Sequence, residues 1–290
     1  MTGESSARRA WRVTEPLHAM IYFVPEAPER YAALGVHPAA GYFASRAAVF
    51  GAVGAGPVIA AFYNFNPDLV RRALPSAWEK ATPAAVLAAR MDAADAALRR
   101  GLGDAVDAPE VAEAADLARR AADSAASWAE GRPLYAAHAD LPWPVEPHLR
   151  LFHAQTLLRE FRGDGHVAAL LTAGISGLDA LILHVASGEA DVRFLRPTRG
   201  WSRDQWAAAI DRLRERGLVT GGDGDGPALT EAGRELRAGV EATTDRLAEP
   251  AYEVLGEDGR VRLAELTRPL SRTLVKAGML DPAVIFKART

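Results

Sequence analysis

Cysteine is absent from the 290 residues, which excludes disulfides, thiolate catalysis and cysteine-ligated zinc and suits a reducing cytoplasm. Long apolar runs are missing too. None approaches the ~18 residues of a membrane-spanning helix, and the N-terminus has no signal-peptide apolar region, so a cytoplasmic location is expected. Lysine is scarce: the 34 basic residues are almost all arginine, and against 37 acidic residues they leave a formal charge of −3. That balance exerts no general pull on nucleic acid. No H-E-x-x-H or facial-triad pattern occurs. His148 and His153 are five apart and His153 and His166 farther still, so no metal is expected. Gly221–Gly226 is glycine-rich but acidic and joins two strands, whereas a phosphate cradle needs a helix N-terminus; no nucleotide cofactor is expected either. Nor is there a basic amphipathic helix for a membrane surface.

What is present is an apolar fraction of 49% with 24% charged residues, enough to bury a real core, in a chain long enough for two domains. Residues 1–14 read as a loose polar tail. Pro38, Asn66-Pro67, Thr82-Pro83 and Pro109 each mark a helix start, placing helices in a first half over 15–140. Leu141-Pro-Trp-Pro-Val-Glu-Pro147 has too many prolines for helix or central strand and reads as a linker. In 148–250, Ser176 caps a helix, and Ser202-Arg-Asp-Gln205 is a capping box for a helix burying Trp206, Ile210 and Leu213. Gly217 ends that helix, Leu218–Leu229 forms a short hairpin, and Thr230 caps a long helix through Leu247. Helix, turn, helix, capped helix, glycine-tipped hairpin, long helix is the order of a winged helix. Residues 251–290 form a C-terminal extension.

The first half repeats this order. Adding roughly 120 to its numbers sets Arg46 near His166, the Thr82 cap against Ser202 and Pro109 against Leu229. The expected fold class is therefore mainly α: two tandem, partly degenerate winged-helix-like halves, with a small β-hairpin wing in the second. Tyr42–Arg46 and Arg162–His166 then occupy equivalent turns.

Chemistry concentrates in Leu151–Val167. His153, Leu157 and Glu160 share one helix face. Gly163 is expected to stop that helix and Asp164 to cap the next. The turn gathers Arg159, Glu160, Arg162, Asp164 and His166 beside a helix N-terminus, which favours anionic groups. In the functional reading His166 is general acid or base, Glu160 or Asp164 orients it, and Arg162 or Arg46 holds an anion. In the plainer reading the same arginines and carboxylates pair and cap a structural turn. Aromatic residues make up only 7% of the chain, yet they cluster at Tyr22-Phe23, Tyr42-Phe43 and Phe62-Tyr63-Asn64-Phe65. These are core packing or, with Glu26, Arg46 and His153, the lining of a pocket for a flat organic ligand. Thr244-Asp245 is a further polar pair, with Asp245 read as balancing an arginine such as Arg199.

DNA is disfavoured as a partner. Residues 203–216 offer Arg203, Arg212, Arg214 and Arg216 against Asp204, Asp211 and Glu215. The wing tip carries Asp223 and Asp225 with no cation for phosphate or minor groove.

Tyr22-Phe-Val-Pro-Glu26, Tyr42-Phe-Ala-Ser-Arg46, Phe62-Tyr-Asn-Phe65, Arg159-Glu-Phe-Arg-Gly-Asp-Gly-His166, Arg199-Gly-Trp-Ser202 and Thr243-Thr-Asp-Arg246 together resemble an actinobacterial helix-turn-helix-like family over residues 15–280. The resemblance implies a helical, winged-helix-derived architecture and supplies no substrate, cofactor or catalytic residue. The expectation is a protein that binds a small organic molecule between its halves, with or without acid–base turnover. The alternatives are a ligand-responsive DNA-binding regulator and a sequestering protein. The sequence leaves oligomerisation open.

Overall fold

The computed structural model describes residues 5–221 and 226–280, and one helix organises them. Fifteen α-helices are described: α1 (Ser6–Ala19), α2 (Glu26–Ala33), α3 (Pro38–Ala47), α4 (Ala55–Phe62), α5 (Pro67–Ala73), α6 (Pro83–Leu102), α7 (Pro109–Ser124), α8 (Pro133–Ala139), α9 (Pro147–Thr172), α10 (Gly177–Ala186), α11 (Val192–Thr198), α12 (Arg203–Glu215), α13 (Glu231–Ala248), α14 (Pro250–Glu253) and α15 (Gly256–Lys276). Between α12 and α13 lies the only described sheet, an antiparallel hairpin of β1 (Val219–Gly221) and β2 (Pro227–Leu229) with Val219 opposite Leu229. The expected mainly α class with one small hairpin is thus observed. No single described helix is long and apolar enough to cross a membrane.

Local punctuation acts as the sequence suggests. Thr82 Oγ1 accepts from Ala85 N–H, Ser202 and Gln205 form a reciprocal capping box, Ser176 and Asp179 form another, and Thr230 Oγ1 accepts from Gly233 N–H. Each satisfies donors that a helix start leaves unpaired. Asp223 and Asp225, on which the acidic wing tip rests, lie outside the described residues.

The apolar residues form two clusters. The larger joins α1–α8, the first part of α9, α14 and α15, with Leu17, Met20, Phe43, Leu98, Phe152, Phe161 and Leu263 inside. Here α7 presents a buried stripe of Ala114, Ala115, Ala118, Ala121 and Ala122, and small side chains let it lie close against α9. The smaller cluster takes the end of α9, α10–α13 and the hairpin, around Ile175, Ile182, Trp206, Leu213 and Val240. Segment 62–66 bridges the two. Tyr63 Oη donates to Ile175 O at 2.6 Å, Trp201 Nε1 to Asn64 O at 3.0 Å, and Asn66 Nδ2 to Gln205 Oε1 at 3.1 Å. Gly177 is seated so closely that a Cβ there would stand 2.0 Å from Tyr63 O.

Three expectations need correction. Residues 6–14 are not a loose tail: they open α1, whose Ala7, Ala10 and Leu17 are buried and which packs on α15, with Ser271 Oγ donating to Val13 O. Small alanines among arginines conceal that apolar stripe. The division between cores falls within α9, not at the proline segment; Pro147 is simply the first residue of α9, and Trp143 packs edge-on against His153. Finally, α9 does not break at Gly163. It runs to Thr172 and is closed by Gly174, φ 64°, where Ile175 N–H bonds Leu170 O and Gly174 N–H bonds Leu171 O, the paired closure of a Schellman cap. Glycine at 165 serves close approach instead: a Cβ would lie 2.9 Å from Arg132 Nη1.

Candidate functional site

Because α9 is uninterrupted, residues two apart point to nearly opposite sides, at ~100° per residue. Glu160, Arg162, Asp164 and His166 are therefore dealt to three neighbours. Arg162 and His166 face α13: Arg162 Nη1 donates to Asp245 Oδ1 at 2.7 Å and Arg162 Nη2 reaches Glu241, while His166 Nδ1 lies 2.9 Å from Thr244 Oγ1. Arg8 shares both carboxylates, at 2.7 Å from Asp245 and 3.1 Å from Glu241, so Asp245 balances Arg162 and Arg8, not Arg199. Burial is the main cause holding the His166 imidazole below its ordinary range, and Glu241 opposes it. Asp164 faces α8 and accepts from Tyr135 N–H at 2.9 Å. It does cap a helix, but one earlier in the chain. Burial pushes this carboxyl up to about 7, Glu160 adding and the Tyr135 and Leu134 N–H groups opposing.

Glu160 faces α3. Both its oxygens accept from Arg46 Nη2 at 3.0 Å, and Arg46 Nη1 donates to Tyr42 Oη at 3.0 Å, one turn back. The Arg46 guanidinium lies 4.3 Å over the Phe62 ring. Burial works to raise the Glu160 carboxyl, but Arg46 and Arg159 outweigh it and keep it below its usual range. Arg159 pairs with Glu15 of α1. Next to them Arg90 of α6 is only 4% exposed. Its Nη2 lies 3.0 Å from His18 Nε2 and 3.4 Å from Tyr22 Oη, and no carboxylate forms an ion pair with it among the described residues. Arginine has no lone pair to offer, so His18 accepts at Nε2 and carries its proton on Nδ1. Burial, then Arg159, Arg90 and Arg46, hold His18 well below its ordinary range, and burial takes His138 to about 3 and His153 to about 4. These imidazoles are neutral and add no charge.

The result is a polar cluster in which four guanidiniums stand with two carboxylates, Arg46, Arg90 and Glu160 buried and Glu15, Arg159 and Arg199 half-buried. Arg199, just beyond α11, joins by lying 4.7 Å over Phe65. Arg46 Nε, Arg90 Nη1, Arg159 Nε and Arg199 Nε are buried without a hydrogen-bond partner among the described residues. Isolated buried cations are expensive, and surplus buried donors suit an anion.

Of the sequence candidates, Tyr22, Tyr42, Arg46, Arg159 and Glu160 thus converge. Glu26 instead pairs with Arg100 at 2.5 Å on another face, Tyr63 and Asn64 serve the bridge between clusters, and His153 packs on Trp143 with Nε2 unpartnered. Among the described residues Glu160 turns to α3 while Arg162 and His166 turn to α13, so the three do not line one cavity. Two described cavities, near Leu98 and Phe152 and near Trp11 and Tyr252, hold about 10 Å³ each, room for one water. Sequence reasoning missed Glu15, His18, Arg90 and His138. A signal existed for Arg90: it interrupts the apolar stripe Val86, Ala93, Ala94 and Ala97 of α6, and a charge on a buried stripe needs a reason.

No curated protein and no solved structure matches the chain. A family model described as a helix-turn-helix family matches residues 7–281, which takes in both clusters and every residue of the arginine site, and the chain therefore belongs to that helix-turn-helix family.

Proposed function

We propose that the protein binds a small organic molecule where its helical core meets its winged-helix module, at the cluster of Arg46, Arg90, Arg159 and Arg199. Arg90 carries the reading: a guanidinium 4% exposed, without a carboxylate partner among the described residues, is a cost that a structural role does not require. The acid–base role first considered for His166 with Glu160 receives no such support, because they face different helices. The same helix order in α3–α7 and in the end of α9 through α13 supports an internal duplication whose first copy lacks the hairpin; α6 and α7 are joined by the 3₁₀ turn Gly103–Asp107 instead.

The test is Arg90→Met, which keeps the stem and removes the charge. The ligand-free variant is expected to melt no lower than the parent and up to ~2–3 °C higher, the equivalent of about 1 kcal/mol. The stabilisation that small organic acids give the parent in a thermal-shift screen should vanish. A marked drop in melting temperature, with ligand shifts retained, removes the reading.

Family membership favours a second reading, a ligand-responsive DNA-binding regulator with α12 as the recognition helix. The exposed charges of α12 oppose it. Arg214 is tied to Asp211 at 2.7 Å and Arg212 lies 3.7 Å from Asp179, leaving cations and carboxylates nearly matched.

A further inference from the structure

Tyr22, Tyr42 and Phe65 form a row of rings, with neighbouring centroids 5.3 and 5.4 Å apart and ring planes tilted by 52° and 44°. A guanidinium stands over each end: Arg159 5.5 Å from the Tyr22 centroid and Arg199 4.7 Å from that of Phe65. One cation comes from α9 in the helical core and the other from the turn before α12. Both side chains are only partly buried, yet the Nε of each is buried and unpartnered. The side chain of Arg199 bonds Thr198 Oγ1 at 3.1 Å and forms no described ion pair. At the centre, Tyr42 Oη accepts from Arg46, which leaves its own proton to donate to whatever lies on the row.

The electrostatics agree with that geometry. Burial, followed by crowding from Arg46 and Arg159, pushes the Arg199 guanidinium down. Burial would raise the Tyr42 phenol, but Arg46, Arg199 and Arg159 together outweigh it and hold it below its ordinary range. Like charges gathered over an aromatic row are relieved when an anion enters, and a flat ligand can stack on one ring and meet its tilted neighbours edge-on while its ends meet the guanidinium forks.

We infer that the Tyr22–Tyr42–Phe65 row is the floor of a site for a planar organic acid with anionic groups at two ends, one held by Arg159 and the other by Arg199. This rests on the small-molecule reading above and adds the ligand's class and orientation. Two anionic groups match the excess of guanidiniums over carboxylates in the cluster. Since Arg199 O accepts from Asn66 N–H at 2.9 Å and Ser202 caps α12, a ligand spanning both arginines ties the winged-helix module to the core.

The experiment titrates the full chain with three probes: benzene-1,4-dicarboxylate, benzoate and benzene-1,4-dimethanol. The dicarboxylate should bind roughly tenfold or more tighter than benzoate, and the neutral diol should not bind. Arg199→Gln should bring the dicarboxylate down to the benzoate level. Bound dicarboxylate should also raise the pH at which the most acidic tyrosine ionises, read from the phenolate absorbance and absent in Tyr42→Phe, because the anion cancels the cations around it. Equal binding of the two acids, or indifference to Arg199→Gln, overturns the two-ended site and leaves the small-molecule reading standing. Diol binding as tight as that of the acids overturns the anionic class. Failure of all three probes overturns it as well, and the Arg90→Met melting experiment then decides the broader reading separately.

Discussion

Asp164 shows how far a single residue's chemistry depends on what meets it. The side chain is buried and its carboxylate accepts from the start of α8, yet burial lifts its pKa from an ordinary 3.8 to about 7. The linkage has a definite sign. Between about pH 4 and pH 7 the folded protein keeps a proton that the unfolded chain has lost, so stability falls as pH rises across that window and levels off above it. Asp164→Asn retains an oxygen for Tyr135 N–H and removes the titration. Its urea midpoint should therefore be flat where the parent's declines, and no lower than the parent's at pH 8; a persistent decline would assign the pH dependence to another group. Arg90 presents the converse case, a charge that cannot neutralise itself, which is why its replacement by methionine is expected to spare stability.

At the scale of the element, α9 is decided by its glycines. Gly163 is the terminator expected from sequence, yet Gly174 is the one that terminates. Gly174 is followed by Ile175, whose side chain is buried in the smaller cluster, giving the apolar contact that accompanies a Schellman closure. Gly163 is followed by Asp164, whose carboxylate is drawn to α8. Inside a continuous helix, Gly163→Ala should stabilise by about 0.5–1 kcal/mol, since the added Cβ meets nothing nearer than Glu160 Oε2 at 3.8 Å. Chemical denaturation checks this directly, because a glycine capping in the left-handed region would make the same change destabilising.

For the whole molecule, the open matter is how a helix-turn-helix family member uses its module. Non-specific DNA affinity comes almost wholly from phosphate neutralisation, ~10⁻⁴–10⁻⁶ M at physiological salt. An α12 with Arg203, Arg212 and Arg214 against Asp204, Asp211 and Glu215 supplies little of it. Random duplex should be retained weakly in a mobility-shift assay at physiological salt, with a shallow dependence on salt concentration. Tight, steeply salt-dependent retention would instead promote the regulator reading.

Local features were legible because their physics is local. The caps at Thr82, Ser176, Ser202 and Thr230 each bond a group three residues away, and the order of the last three yields α10, α12, the hairpin and α13. Half of the arginine cluster was legible as well, since Tyr42, Arg46, Arg159 and Glu160 stand out as polar residues in aromatic or charged motifs. What only the tertiary structure decided is which partner each side chain meets. Arg46 and Glu160 are 114 residues apart, Arg90 and His18 are 72 apart, and Arg159 and Glu15 are 144 apart. Within α9 the sequence crowds Glu160, Arg162, Asp164 and His166 together, and helical geometry separates them onto faces owned by α3, α13 and α8. Chain proximity sets the reach of a cap; the packing of distant helices sets where a buried charge finds its counterpart, or is left, like Arg90 among the described residues, without one.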